Sequence, residues 1–128
     1  VDHPFSPRPT TRSGSILEGR VFRDVTPEHA GDVGDGTVFE YHEDDDATVW
    51  ARYSGGGVRL GYLVGTRSAR TLDFRYVHVT TEGQTASGHC VSRVELLDDG
   101  RLRMHEQWSW DSKPGSGTSV VEEVPGSP

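Results

Sequence analysis

Cysteine is almost missing from this chain: Cys90 stands alone among 128 residues. A single thiol excludes an intrachain disulfide framework. Long apolar runs are missing as well. None approaches the roughly 18 residues of a spanning helix, and no signal-peptide pattern opens the chain, so a cytoplasmic address is the expectation. Basic residues are scarce, 13 Lys and Arg against 20 Asp and Glu, for a net charge of −7. Without a basic stripe there is no footprint for phosphates, which argues against a nucleic-acid partner and equally against an anionic membrane surface. Apolar residues make up only 32%, lean for a helical bundle. No window carries the periodicity of an amphipathic helix of useful length.

Glycine, by contrast, is plentiful at 16 residues, and much of it sits at turns. Short runs rich in β-branched and aromatic residues alternate with "EDDDA", "SGGG", "TRSAR", "TEGQ", "DDG" and "SKPGSG". The runs predict strands near Ile16–Val25, Thr37–His42, Thr48–Tyr53, Val58–Gly65, Thr71–Val79, Thr85–Leu97, Leu102–Trp110 and Thr118–Val124. Val1–Ser15 and the tail from Pro125 read as loose arms around one domain, 16–124. Between the first two strands, Pro27–Gly36 reads as a loop with at most one helical turn, capped by Thr26. About eight sequential strands joined by tight turns make an antiparallel meander. Closing it into an up-and-down barrel removes the exposed edges, and an eight-stranded interior is either filled or holds one small ligand. A β-sandwich is the competing architecture.

Turn chemistry suggests a register. A two-residue loop at Asp99-Gly100 places Glu106 opposite Arg93, Trp108 opposite Val91 and Trp110 opposite His89. A loop at Glu82-Gly83 places Tyr76 opposite His89 and Phe74 opposite Val91. One face then carries Leu72, Phe74, Tyr76, His78, His89, Val91, Arg93, Met104, Glu106, Trp108 and Trp110. Cys90 and Ser92 lie on the opposite face, unless a loop is miscounted by one residue, which exchanges the faces of a strand. In the first half, Val49, Ala51 and Tyr53 share a face with Val58, Leu60, Tyr62 and Val64, while Phe39, Tyr41 and Trp50 have the other parity. Gly61 and Gly65, on Trp50's parity, would let aromatic rings approach the backbone.

Glu106 is the residue to follow: a carboxylate among Leu102, Met104, Trp108 and Trp110 on one strand face. A buried carboxylate needs a partner or a ligand, or it takes up a proton. Arg93 is its expected ion-pair partner. Glu106, His78 and His89 are the candidate acid–base groups, weighed against a satisfied polar network in the core. Tyr41, Trp50, Phe74, Tyr76, Arg93, Met104, Trp108 and Trp110 are the candidate ligand contacts, the aromatics forming a wall for a flat molecule. Glu122 is the weaker choice for a second buried carboxylate. Cys90 reads as a structural thiol. His42, Glu43 and the acids at 44–46 read as a solvated hairpin tip, since a calcium loop needs spaced carboxylates and a sharp glycine turn. His78, His89 and His105 lack a zinc spacing, so no metal is expected.

The segments "GTVFEYHEDDDATVWARYSGGGVRLGYLVG", "LDFRYVHV", "SGHCVSRVELLDDGRLRMHEQWSW" and "SGTSVVEEV" resemble a family of small bacterial proteins often labelled N-acetylglutamate synthase, from about Leu17 to Val124. The resemblance implies a small antiparallel barrel of avidin- or lipocalin-like shape. Acetyl transfer from a coenzyme normally uses a glycine-rich turn at a helix N-terminus for the pyrophosphate. No such turn is visible here, and "GGG" at 55–57 lies between two strands. The expectation is a cofactor-free barrel that binds a small molecule in an aromatic interior. The alternative is a cofactor-free cyclase, isomerase or lyase, an analogy at the level of fold. A homodimer through the outer face is the remaining partner expectation.

Overall fold

The computed structural model describes residues 14–26 and 36–126. Most of the N-terminal arm, the Pro27–Gly36 loop up to residue 35 and the last two residues lie outside the described residues. Eight strands run β1 Val21–Asp24, β2 Val38–Glu43, β3 Thr48–Gly55, β4 Val58–Ser68, β5 Thr71–Thr80, β6 Thr85–Leu96, β7 Leu102–Trp110 and β8 Ser116–Glu123. Each pairs antiparallel with the next, and β8 returns to β1, closing an up-and-down barrel in sequence order. The closure leaves no unpaired strand edge. Residues 16–20, expected at the start of the first strand, instead turn across one end of the barrel.

Alternation sorts each strand into an inner and an outer face. Phe39, Tyr41, Val49, Ala51, Tyr53, Leu72, Phe74, Met104 and Val121 are buried inside. The two hairpins around β6 differ from expectation in the same way. Thr80 N donates to Gln84 O and Gly83 N to Thr80 O; Leu97 N donates to Arg101 O and Gly100 N to Leu97 O. Both are three-residue loops ending in a glycine of positive φ, 86° at Gly83 and 89° at Gly100, the geometry of a turn followed by a bulge. Each loop is one residue longer than the dipeptide signal suggests. The two offsets cancel for β5 and β7 and reverse β6 alone.

Tyr76 therefore faces Gly88, Phe74 faces Cys90, and Ser92 faces Glu106. Cys90 and Ser92 are inside. His89 and Arg93 are outside, so the expected Arg93–Glu106 pair does not exist. Arg93 is exposed opposite His105, and His89 Nε2 meets Asp73 Oδ1 at 2.6 Å on the outer surface. Interior volume gives the reason: a small thiol and hydroxyl fit beneath the aromatic side chains of β5 and β7, whereas an imidazole and a guanidinium would bury two long polar groups.

In β4 the register shifts between Val58 and Leu60. The bulge puts Val58 and Gly61 on the same inner face, and Leu60, Tyr62 and Val64 turn outward. Gly61 does lie under a ring, but inside, away from Trp50, whereas Gly65 lies against β5 at Asp73 and Phe74. A Cβ at Gly61 would sit 2.4 Å from the Tyr53 ring. Trp50 faces Val64 and His42 on the outer surface, where it is 43% exposed. Its ring stacks on His42, centroids 4.1 Å apart.

The barrel has two chemically different ends. Near the β2–β3, β4–β5 and β6–β7 loops the interior is packed by Leu17, Phe22, Tyr41, Leu72, Val94 and Met104. Two buried carboxylates tie this end shut. Glu43 Oε1 accepts the N–H groups of Ile16 and Leu17 at 2.9 and 3.1 Å, and its Oε2 meets Arg67 Nε at 2.6 Å. Glu123 Oε1 accepts from Leu102 N at 3.0 Å and from Arg20 Nη1 at 2.6 Å. Glu123, not Glu122, is thus the inward carboxylate of β8. Glu122 points outward to Arg101 and Arg103 at 3.0 and 2.9 Å.

Candidate functional site

The other end of the barrel is aromatic and carries a cavity of about 60 Å³. The ends of β5 and β7 build its wall. Tyr76 Oη donates to the Ser109 carbonyl at 3.1 Å, and its ring approaches the β6 backbone at Gly88, where an added Cβ would lie 2.3 Å from that hydroxyl. Trp108 lies over β8 at Gly117, where a Cβ would meet the indole at 2.6 Å. Glycine is needed at both places because any side chain would displace the ring above it. Trp108 and Trp110 have centroids 5.6 Å apart, and Trp110 makes an edge contact with Tyr76 at 5.7 Å. Phe39, Tyr53, Leu63 and Phe74 continue the apolar lining.

Asp24, Thr26, Cys90, Glu106, Thr118 and Ser119 supply its polar atoms. Glu106 is 8% exposed. Ser119 Oγ donates to its Oε1 at 2.8 Å, while Oε2 has no protein donor among the described residues. Burial, reinforced by the Asp24 carboxylate and opposed by the Ser119 hydrogen bond, raises the Glu106 carboxyl to about 7. The same burial, with Glu106 nearby, pushes the Cys90 thiol far above its ordinary range. A thiol so disfavoured as thiolate is a poor nucleophile. Below the cavity, the Tyr41 hydroxyl and the Ser92 hydroxyl are buried without a hydrogen-bond partner among the described residues. Burial first and Glu106 next raise the Tyr41 hydroxyl well above its usual value.

A family profile for avidin-like proteins matches residues 15–124. The chain belongs to the avidin-like protein family. No curated protein and no solved structure matches it. The avidin-like barrel brings Phe74, Tyr76, Glu106, Trp108 and Trp110 to the cavity, five residues singled out from the sequence. His78 is buried behind them: its Nδ1 is 2.9 Å from Tyr53 Oη, and its ring is 5.8 Å from Trp110. Tyr41 and Met104 point inward but pack the closed half. Trp50, His89 and Arg93 are on the outer surface and do not contribute. Asp24, Phe39, Tyr53, Thr118 and Ser119 were missed. Parity with Phe22 marks Asp24 as inward, and parity with Val121 marks Ser119. Among the described residues no three His, Cys, Asp or Glu side chains gather as metal ligands would.

Proposed function

We propose that this avidin-like protein binds a small molecule at the aromatic end of its barrel. The molecule places a hydrogen-bonding group on Glu106 and an apolar or aromatic part against Trp108 and Trp110. The observation that carries this reading is Glu106 itself, a carboxyl buried in an aromatic wall with one oxygen unclaimed by any described residue. Ordinary packing favours apolar atoms at such a position, because a buried carboxyl gives up hydration that a single hydrogen bond does not replace. Membership of the avidin-like family supports the same reading, as does the general ability of eight-stranded barrels to hold one small ligand.

Size limits the ligand. Pockets for drug-sized molecules run from about 300 Å³ upward, and this cavity is about 60 Å³. At roughly 10–15 Å³ per water it has room for on the order of five waters. A head group of similar size enters, and the rest of the molecule lies on the tryptophans at the rim. Trp108→Ala removes that platform. Isothermal titration with monocyclic aromatic probes should show affinity falling about tenfold in the variant. Unchanged affinity would remove the tryptophan wall from the proposal.

The same carboxyl supports a second reading. A carboxyl poised near neutral pH suits general acid–base work, as a cofactor-free cyclase, isomerase or lyase would need. Glu106→Gln separates the two, because the binder retains a ligand-dependent signal and has no turnover to lose. An enzyme would bind its substrate and lose turnover.

A further inference from the structure

The cavity has one-sided chemistry. Six aromatic rings line it, and its two ionisable acids are Asp24 and Glu106. Among the described residues none of those lining it is Arg, Lys or His. An anion placed there would meet two carboxyl groups and, among the described lining residues, no basic side chain. A cation would meet ring faces, which attract positive charge, and an acceptor at Glu106 Oε2 that no described residue satisfies. The rim already shows this preference within the molecule, where Lys113 Nζ sits 4.5 Å from the centre of the Trp110 ring.

Resting on the binding function proposed above, we infer that the ligand is a small organic cation, an ammonium head bearing N–H groups. The ammonium enters between Asp24 and Glu106 and donates to Glu106 Oε2, while its carbon framework lies against Trp108 and Trp110. Asp24 Oδ1 accepts the Thr26 N–H at 2.8 Å, which holds that carboxyl at the cavity wall. The head group fits the space because an alkylammonium end of a few heavy atoms needs no displacement of the rings. A quaternary ammonium would satisfy the rings but leave Oε2 without a donor, so the N–H-bearing form is the better match.

Binding should depend on pH. The titratable groups around Glu106 are Asp24 from β1, Tyr41 from β2, Tyr53 from β3, Tyr76 from β5 and Cys90 from β6. Burial holds the Tyr41 and Cys90 groups neutral at physiological pH. A cation favours the ionised carboxylate, so binding displaces the Glu106 proton. Affinity should rise with pH until the carboxyl at about 7 is ionised, then level off. At pH 6 it should be about tenfold weaker than at pH 8.

Calorimetric titration of the intact protein at pH 8 with benzylamine, benzyl alcohol and benzoate tests the inference. Benzylamine, protonated at that pH, should bind at least about tenfold more tightly than the alcohol, and benzoate should bind weakest. Glu106→Gln should abolish most of the preference for amine over alcohol, and Asp24→Asn should reduce it. The ranking in the unmodified protein decides the matter even if a variant fails to fold. Alcohol or benzoate binding as tightly as the amine overturns the cation while leaving the cavity as a binding site. No binding by any of the three overturns the cavity reading and this inference with it.

Discussion

Glu106→Gln should stabilise the protein at pH 8 and leave its stability nearly unchanged at pH 4.5. The sign follows from where the proton goes. The carboxyl titrates at about 7 in the folded barrel, against an ordinary value of 4.5. Between those values the folded protein holds a proton that the unfolded chain has released. The stability tied to that proton is fully present below 4.5 and lost as pH rises through 7. Across this window the loss is about 3 kcal/mol. Glutamine does not ionise, so it escapes the loss, and its amide oxygen still accepts from the Ser119 hydroxyl. For a domain of this size the gain at pH 8 corresponds to on the order of 10 °C in melting temperature. Comparing the two proteins at each pH cancels the titration of the other 19 acids among the 20 in the chain. Parallel pH profiles for variant and wild type would show that Glu106 is not buried as a carboxyl in solution. A less stable variant at pH 8 would show that the charge is held by partners.

The barrel itself was legible because strand alternation and turn chemistry are local. Seven of the eight strands lie within a few residues of the positions that their β-branched and aromatic runs indicate. The first is the exception: residues 16–20 look like strand because Ile16 and Leu17 are apolar and lead into the run from Val21, yet they cap the barrel through contacts with Glu43 and Tyr41 more than twenty residues away. The face of β6 was not legible for a different reason. "DDG" supports a two-residue loop at Asp99-Gly100 and equally a three-residue loop starting at Asp98, since both need a glycine at positive φ. What selects the longer loop is the volume available beneath Phe74, Tyr76 and Trp108, a property of the closed barrel. Where faces came out right, on β5 and β7, Phe74, Tyr76, Glu106, Trp108 and Trp110 converge on one cavity. Trp50 was misplaced because its neighbours Val49 and Ala51 take the inner face, and parity then forces the indole out.

Glu43→Ala should be the most damaging single change at the closed end, costing about 3–5 kcal/mol. The acid looks from the sequence like part of a solvated tip, next to the run at 44–46. In the fold it is 3% exposed and serves three donors: two backbone N–H groups of the capping turn and the Arg67 guanidinium. Arg67 is itself mostly buried, with its side chain 11% exposed, and also donates to the carbonyls of Ala69 and Gly14. Removing the carboxylate leaves a cation inside the protein without its counter-ion and two amides without an acceptor, and both losses fall on the same few residues. Glu43→Gln keeps an oxygen for the amides and loses only the charge, so it should cost less than the alanine variant. Replacing Glu43 and Arg67 together by Leu and Met should recover much of the loss, because an apolar pair of similar volume leaves no unpaired charge. Urea titrations of the three variants measure the series. Under 1 kcal/mol lost in Glu43→Ala would mean that the cap contributes little to closing the barrel. A double variant no better than Glu43→Ala would mean that the amides of Ile16 and Leu17, rather than the stranded guanidinium, carry the cost. The cavity at the opposite end should keep its probe affinity in Glu43→Gln, since Tyr41, Leu72 and Met104 stand between the two ends.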